Sequence, residues 1–170
     1  MRLSDIALRL ARDTDAPALA VMSRDLIEIG LGWQYRTKQV AALLRDAETV
    51  TVVANDGPRT VGFAVLRVGD ERAHLVLLAV GSTHRRRGIG ARMTRWLIET
   101  AAAAGVASVH VELRAQNQAA YALYRSLEFT ETQRVYGYYR GRETAIRMLR
   151  TLRAEGVERF IWSPPARDRR

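Results

Sequence analysis

The segment richest in chemistry runs Leu78-Ala79-Val80-Gly81-Ser82-Thr83-His84-Arg85-Arg86-Arg87-Gly88-Ile89-Gly90: an apolar run ends, a polar turn follows and a helical pattern starts. The first N–H groups of a helix lack intrahelical partners and sit at the positive end of its dipole, so such a junction suits a phosphate. Gly88 and Gly90 carry no side chain to hold phosphates away from those amides, and Arg85, Arg86 and Arg87 add charge. It is not a Walker loop, which needs Gly-Lys-Ser/Thr, nor a dinucleotide fingerprint, which needs a third glycine. Taken alone, a basic turn with cap and turn glycines explains it equally well.

A second group lies downstream. Val109, Val111 and Leu113 share one face of a predicted strand, and His110 and Glu112 share the other, so Glu112 is either a site carboxylate or a solvent-facing residue. Tyr124 falls among Ala120, Leu123 and Leu127, the apolar stripe of a helix, where a core tyrosine is the ordinary occupant. Asn117 stands where it would cap that helix. Trp33, Tyr35, Tyr136, Tyr138 and Tyr139 fall in predicted loops, where aromatics without a core role line binding clefts or pack a sheet edge. His74 and His84 stand out in no pattern, and no His, Asp or Glu cluster has metal-ligand spacing, so no metal is expected.

The elements that must hold these residues are legible from periodicity and punctuation. Residues 6–12 alternate as a strand, Asp13-Thr14-Asp15 leads into a helix over 16–29 with Pro17 in its first turn, and Thr37 caps a helix to about 45. Strands are predicted at 50–55 and 60–68 around Asn55-Asp56-Gly57-Pro58, then at 72–80, whose end is apolar without a break as in a central strand covered on both faces. A helix from Ile89 turns Met93, Trp96, Leu97, Thr100, Ala101 and Ala104 inward and ends at Gly105. A strand at 106–113, a helix at 118–127 and strands at 129–136 and 143–149 complete a single α/β domain over residues 1–150. A basic tail is expected at 151–170.

Composition bounds the function. The 170 residues carry a formal charge of +9, with 26 arginines against one lysine, Lys38, and no cysteine. Disulfides, thiolate metal sites and cysteine-linked acyl intermediates are therefore excluded. No apolar run reaches the roughly 20 residues needed to cross a bilayer, and Asp5 interrupts any signal-like start, so a cytoplasmic protein without membrane contact is expected. The arginines are mostly spread along the chain, as on a solvated surface, and no recognition helix accompanies them. Nucleic-acid binding is thus disfavoured, and a homodimer is left open.

Together, the strand, the Arg-x-x-Gly-x-Gly turn and the helix resemble the acetyl-coenzyme A motif of the GNAT N-acetyltransferase superfamily. Val111-Glu112-Leu113-Arg114-Ala115-Gln116-Asn117 and Leu123-Tyr124-Arg125-Ser126-Leu127-Glu128-Phe129 resemble its second cofactor motif, and the likeness covers about residues 61–149. Within it, Glu112, Tyr124, Tyr138-Tyr139 and Gly141-Arg142-Glu143-Thr144-Ala145-Ile146-Arg147-Met148 are most similar to the ribosomal-protein N-terminal alanine acetyltransferases.

The resemblance implies a single mixed, mostly antiparallel sheet with flanking helices. It implies acetyl transfer from acetyl-coenzyme A to a primary amine, of a small molecule or of a peptide N-terminus, with Glu112 as general base and Tyr124 as general acid. The donor would be held by Leu78 and Val80 through their backbone, by Arg85, Arg86, Arg87, Gly88, Gly90 and Ala91, and by Asn117. The acceptor would meet Trp33, Tyr35, Tyr138 and Tyr139. A binding module without catalysis would need neither Glu112 nor Tyr124. The chain departs from the pattern at Glu128, where glycine is usual, in a shorter loop after Tyr139 that lacks a proline, and in its first sixty residues.

Overall fold

The computed structural model describes residues 6–153; the opening Met1–Asp5 and the tail from 154 onward lie outside the described residues. In chain order the elements are β1 (Ile6–Leu10), α1 (Ala16–Leu26), α2 (Thr37–Arg45), β2 (Thr49–Asp56), β3 (Arg59–Val68) and β4 (Arg72–Val80). They continue with α3 (Ile89–Ala103), β5 (Ser108–Arg114), α4 (Gln118–Ser126), β6 (Thr130–Tyr139) and β7 (Glu143–Thr151). One seven-stranded sheet has the order β1-β2-β3-β4-β5-β7-β6, antiparallel except where β4 meets β5. The expected mixed, mostly antiparallel sheet is therefore what forms.

Both faces of the sheet are covered, so the middles of β2 and β3 are buried without a break. On β3, Ala64 and Leu66 join the core that includes Met93, Leu97 and Ala101 of α3, whereas Phe63 and Val65 join Leu19 and Ala20 of α1 and Val40 of α2. Strand β4 carries a bulge: Val65 pairs with Leu77 and Leu66 with Leu75, so Val76 is an extra residue. Leu75 consequently packs with α3 and Leu77 with α1, although they stand two apart.

Several local expectations differ from the fold. Helix α1 stops at Leu26 rather than 29, and Arg36, not Thr37, is the residue before α2. Strand β6 continues to Tyr139, so Tyr138 and Tyr139 belong to a strand and not to a loop. The buried stripe of α3 is Ile89, Met93, Thr94, Leu97, Ile98 and Ala101, turned by one position from the expected Trp96, Thr100 and Ala104. Thr94 tolerates burial because its hydroxyl donates to the Gly90 carbonyl at 2.8 Å. Strand β7 runs one residue past 150, and the Leu152 N–H donates to the Ala107 carbonyl at 2.8 Å.

The corner after α4 takes the conformation that glycine would favour. Glu128 has φ of 65°, its N–H donates to the Arg125 carbonyl, and the Phe129 N–H reaches back to the Tyr124 carbonyl at 3.0 Å. This is a Schellman end with glutamate in the left-handed position, and Tyr124 packs on Phe129 with ring centroids 5.4 Å apart. Glu128 pairs with Arg150 at 2.7 Å rather than with the nearer-in-sequence Arg125, but it is largely exposed, so that pair offsets little of the strain. Glu128→Gly relieves a left-handed Cβ and a carboxylate at a helix C-terminus, and loses the pair and some unfolded-state restriction. The expected net gain is about 0.5–1 kcal/mol in chemical denaturation, and equal or lower stability would refute the strain.

Candidate acyl-transfer site

The parallel pairing of β4 with β5 lasts only from Arg72 to Leu75, against Ser108 to Val111. Beyond the bulge the two strands part: β4 stays with β3 up to Val80, while β5 stays with β7 through Arg114. A cleft of about 730 Å3 opens between them, with residues 76–78 of β4 along one side. Leu78, Glu112, Asn117, Tyr124, Tyr35, Tyr138 and Tyr139 all line it, so residues spread over a hundred positions meet in one place.

Glu112 points into the cleft. Its side chain is 23% exposed, accepts from Arg147 Nε at 2.8 Å and from the Tyr138 hydroxyl at 3.2 Å, and stands 3.9 Å from His74 Nε2. Arg147 reaches it because β5 and β7 set the two residues directly opposite each other. Tyr124 is buried at 5% exposure, and burial pushes its hydroxyl well above the ordinary tyrosine range, so it stays protonated. Asn117 accepts the Ala120 N–H at 3.1 Å and caps α4, which fixes the turn that brings Tyr124 to the cleft.

Tyr138 and Tyr139 would face opposite sides of a regular strand. They share the cleft because the β6–β7 register is irregular between Val135 and Tyr139, where Gly137 has φ of 66°. Their rings meet edge to face at 5.0 Å. Burial and the nearby Glu112 raise the Tyr139 hydroxyl. Trp33 does not line the cleft. The Arg24 and Arg36 guanidinium groups stand over its ring, 5.3 and 5.6 Å from the centre, and its N–H donates to the Tyr35 carbonyl. It props up the segment that carries Tyr35.

The basic turn is at the far end of β4, outside the cleft lining. Arg86 and Gly88 both take left-handed angles, φ 61° and 72°, and α3 begins at Ile89 without a side-chain cap. The first amides of α3 are thus left for an external acceptor. Arg85 Nε donates to the Val80 carbonyl at 3.1 Å, so that carbonyl is already engaged. A Cβ on Gly90 would meet Leu123 and Val80 at 3.5 and 3.8 Å, ordinary contact distances facing side chains and not the solvent. Gly88, not Gly90, is the glycine the turn requires. Buried His84 anchors the start of this turn, its Nε2 3.1 Å from Asp56 on β2.

Four further residues border the cleft without having stood out in the sequence. Glu28 is buried just past α1, where it accepts the Ser23 hydroxyl and the backbone N–H groups of Gln34 and Tyr35. Arg114 donates to the Ile29 carbonyl and pairs with Glu143 at 3.5 Å, and Arg140 donates to the Leu31 carbonyl at 2.8 Å. His74 stands beside Glu112. The contacts that bring them here span segments far apart in the chain, so nothing in the local sequence pattern marked them. Among the described residues no group of three His, Asp or Glu could hold a metal, and no helix is long and apolar enough to cross a membrane.

The model of the acetyltransferase (GNAT) family matches residues 19–129. The chain belongs to the acetyltransferase (GNAT) family. This family member is 39% identical over 93 residues to the [ribosomal protein bS18]-alanine N-acetyltransferase of Escherichia coli strain K12, covering 53% of the chain. The match spans 63% of that relative's length. It is 27% identical over 143 residues to N-alpha-acetyltransferase 30 of Xenopus laevis, 81% of the chain and 50% of that protein. Among solved structures, the ribosomal-protein-S18-alanine N-acetyltransferase of Escherichia coli superposes with a TM-score of 0.77 at 28% identity, over 90% of this chain and 99% of that one. NAA60 of Arabidopsis thaliana, solved with acetyl-CoA, has the same fold: TM-score 0.77 at 19% identity, over 86% and 98% of the two chains.

The segment between α1 and α2 is thus held down by a buried carboxylate. Glu28→Gln turns an amide N–H toward a backbone donor and loses charge-assisted bonds, so stability should fall by about 1–3 kcal/mol in urea denaturation. A loss below about 0.5 kcal/mol would mean that the segment is held from elsewhere.

Proposed function

We propose that this protein transfers an acetyl group from acetyl-coenzyme A directly to a primary amine, with Glu112 as general base and Tyr124 as general acid. The observation that carries this is that Glu112 and Tyr124 line one cleft at the point where β4 leaves β5. Family membership and the names of the relatives support acetyl transfer to an amine, and those names favour a peptide N-terminus over a small molecule as acceptor.

The chain fits the donor at three places. The amide-rich pantetheine arm would pair with the free edge of β4 near Leu78, as an added strand does. Asn117 lies further along the same cleft. The pyrophosphate would sit on the first amides of α3, from Gly88 to Ala91, with Arg85, Arg86 and Arg87 adding charge. The thioester would then lie near Tyr124. Tyr35, Tyr138 and Tyr139 border the acceptor side, and Trp33 supports it from behind.

A peptide α-amine has a pKa near 8, so much of it arrives protonated at neutral pH and must lose a proton before attack. Glu112 takes that proton, directly or through a water, while Arg147 and Tyr138 hold its carboxylate in place. The amine nitrogen bonds to the acetyl carbon, the carbon–sulfur bond breaks, and Tyr124 donates its hydroxyl proton to the leaving sulfur. Glu112 passes the first proton to solvent before the attack, so its carboxylate is free to take the surplus proton from the acetylated nitrogen. Of these two protons one returns through solvent to the Tyr124 phenolate and the other is released.

Two measurements test this. Tyr124→Phe keeps the packing on Phe129 and removes one hydroxyl, so turnover should fall on the order of a hundredfold while acetyl-coenzyme A affinity holds. A fall below about threefold would assign the proton to water or another group. At Gly88, Asn and Asp bear similar left-handed strain but differ in charge. Gly88→Asp should therefore bind acetyl-coenzyme A about tenfold more weakly than Gly88→Asn in calorimetry, and equal affinities would remove the phosphates from this turn.

A further inference from the structure

Among the described residues, the carboxylates at the acceptor end of the cleft are all committed. Glu28 is consumed by backbone N–H groups, Glu112 by Arg147 and Tyr138, and Glu143 by Arg114. None is left over to receive a second ammonium group. Arg140 is in the opposite condition. It lines the cleft, is exposed, donates to the neutral Leu31 carbonyl, and has no carboxylate within ion-pair distance among the described residues.

Arg140 also occupies a position that does not suit its residue type. With Gly141 it forms the centre of a tight turn closed by the Arg142 N–H on the Tyr139 carbonyl, and its φ is 52°. Asparagine or glycine enters that conformation far more easily. Strain of this kind clusters at binding sites, and this strained residue borders the cleft. The opposite segment makes room for it: Gly32 has φ of 85°, and a Cβ there would come within 2.8 Å of Arg140 Nη2. A guanidinium has five N–H donors in a fixed fork suited to carboxylates, and Arg140 spends one on Leu31.

We propose that Arg140 is a specificity residue that receives an acidic side chain of the acceptor, so that the preferred acceptor is a peptide N-terminus with Asp or Glu among its first residues. This rests on the acetyl-transfer assignment above. A peptide rather than a small acidic amine is indicated by the open mouth, where Ile29 and Tyr138 are 62% and 43% exposed and offer apolar contact beyond the amine. Polyamines and aminoglycosides would bring extra ammonium groups to a wall with no free carboxylate, and are disfavoured.

The test compares kcat/KM, read by thiol release at low salt, for the peptides Ala-Asp-Asp-Gly, Ala-Ser-Ser-Gly and Ala-Lys-Lys-Gly, with γ-aminobutyrate and spermidine alongside. The acidic peptide should exceed the lysine peptide on the order of tenfold through KM, and the gap should shrink with added salt. In Arg140→Asn, which suits the left-handed turn, that ratio should fall to within about threefold, and Arg140→Lys should restore part of it. Equal use of the acidic and lysine peptides, a ratio unchanged in Arg140→Asn, or transfer to γ-aminobutyrate but to no peptide would each overturn the proposal. Calorimetry with acetyl-coenzyme A separates the two levels: intact binding without charge preference sinks this inference alone, whereas absent binding sinks the acetyl-transfer assignment with it.

Discussion

The site depends on the early separation of two central strands. β4 and β5 share four residue pairs and then diverge, because the extra residue Val76 bends β4 while β5 follows β7. A sheet normally satisfies every interior N–H and carbonyl, and an edge opened in its middle is costly unless something polar fills it. Here the gap leaves residues 76–78 of β4 facing a cleft instead of a strand. Glu112 gains access to that space because it lies just past the last shared pair, Leu75 with Val111. One residue earlier it would have been paired over; on the alternate face it would have joined Val111 and Leu113 in the core.

Helix α4 supplies the other half by means that are wholly local. Asn117 starts it and a Schellman turn stops it, so the nine residues between have little freedom in where they place Tyr124. The same turn brings Phe129 against the Tyr124 ring. The strained Glu128 is therefore part of what orients the tyrosine, although it is remote from any reacting atom.

How much of this was legible in the sequence follows the range of the forces involved. The bounds of β4, the Asn117 cap, the Gly105 stop and the left-handed corner at Glu128 are set by neighbours a few residues away, and each was readable. The segment after α1 was not. Glu28 continues the helical pattern of 16–29, yet its carboxylate is held by the Ser23 hydroxyl and the N–H groups of Gln34 and Tyr35, while Arg114 of β5 and Arg140 of the β6–β7 turn hold the Ile29 and Leu31 carbonyls of the same segment. Trp33 was expected in the cleft because it is a loop aromatic, yet flanking arginines and an N–H bond turn it to the back. Tyr138 and Tyr139 were expected in a loop because the predicted strand ended at 136; the strand runs on to Tyr139, and the irregular register at Gly137 lets both rings face the cleft.

The family match ends at residue 129, before β6 begins. β4, the basic turn, α3 and α4, which would hold the donor under the proposed assignment, fall inside that stretch, whereas Tyr138, Tyr139, Arg140 and Arg147 come from the hairpin after it. That hairpin is tied to the rest of the site by the β5–β7 pairing, by Ile146 and Met148 in the core, by Arg140 on Leu31, by Glu143 with Arg114, and by Arg147 and Tyr138 against Glu112. On the assignment proposed above, a hairpin of another sequence would alter the side of the cleft bordered by Tyr138, Tyr139 and Arg140 while leaving β4, the basic turn, α3 and α4 in place, so long as the incoming strand still sets an arginine opposite Glu112.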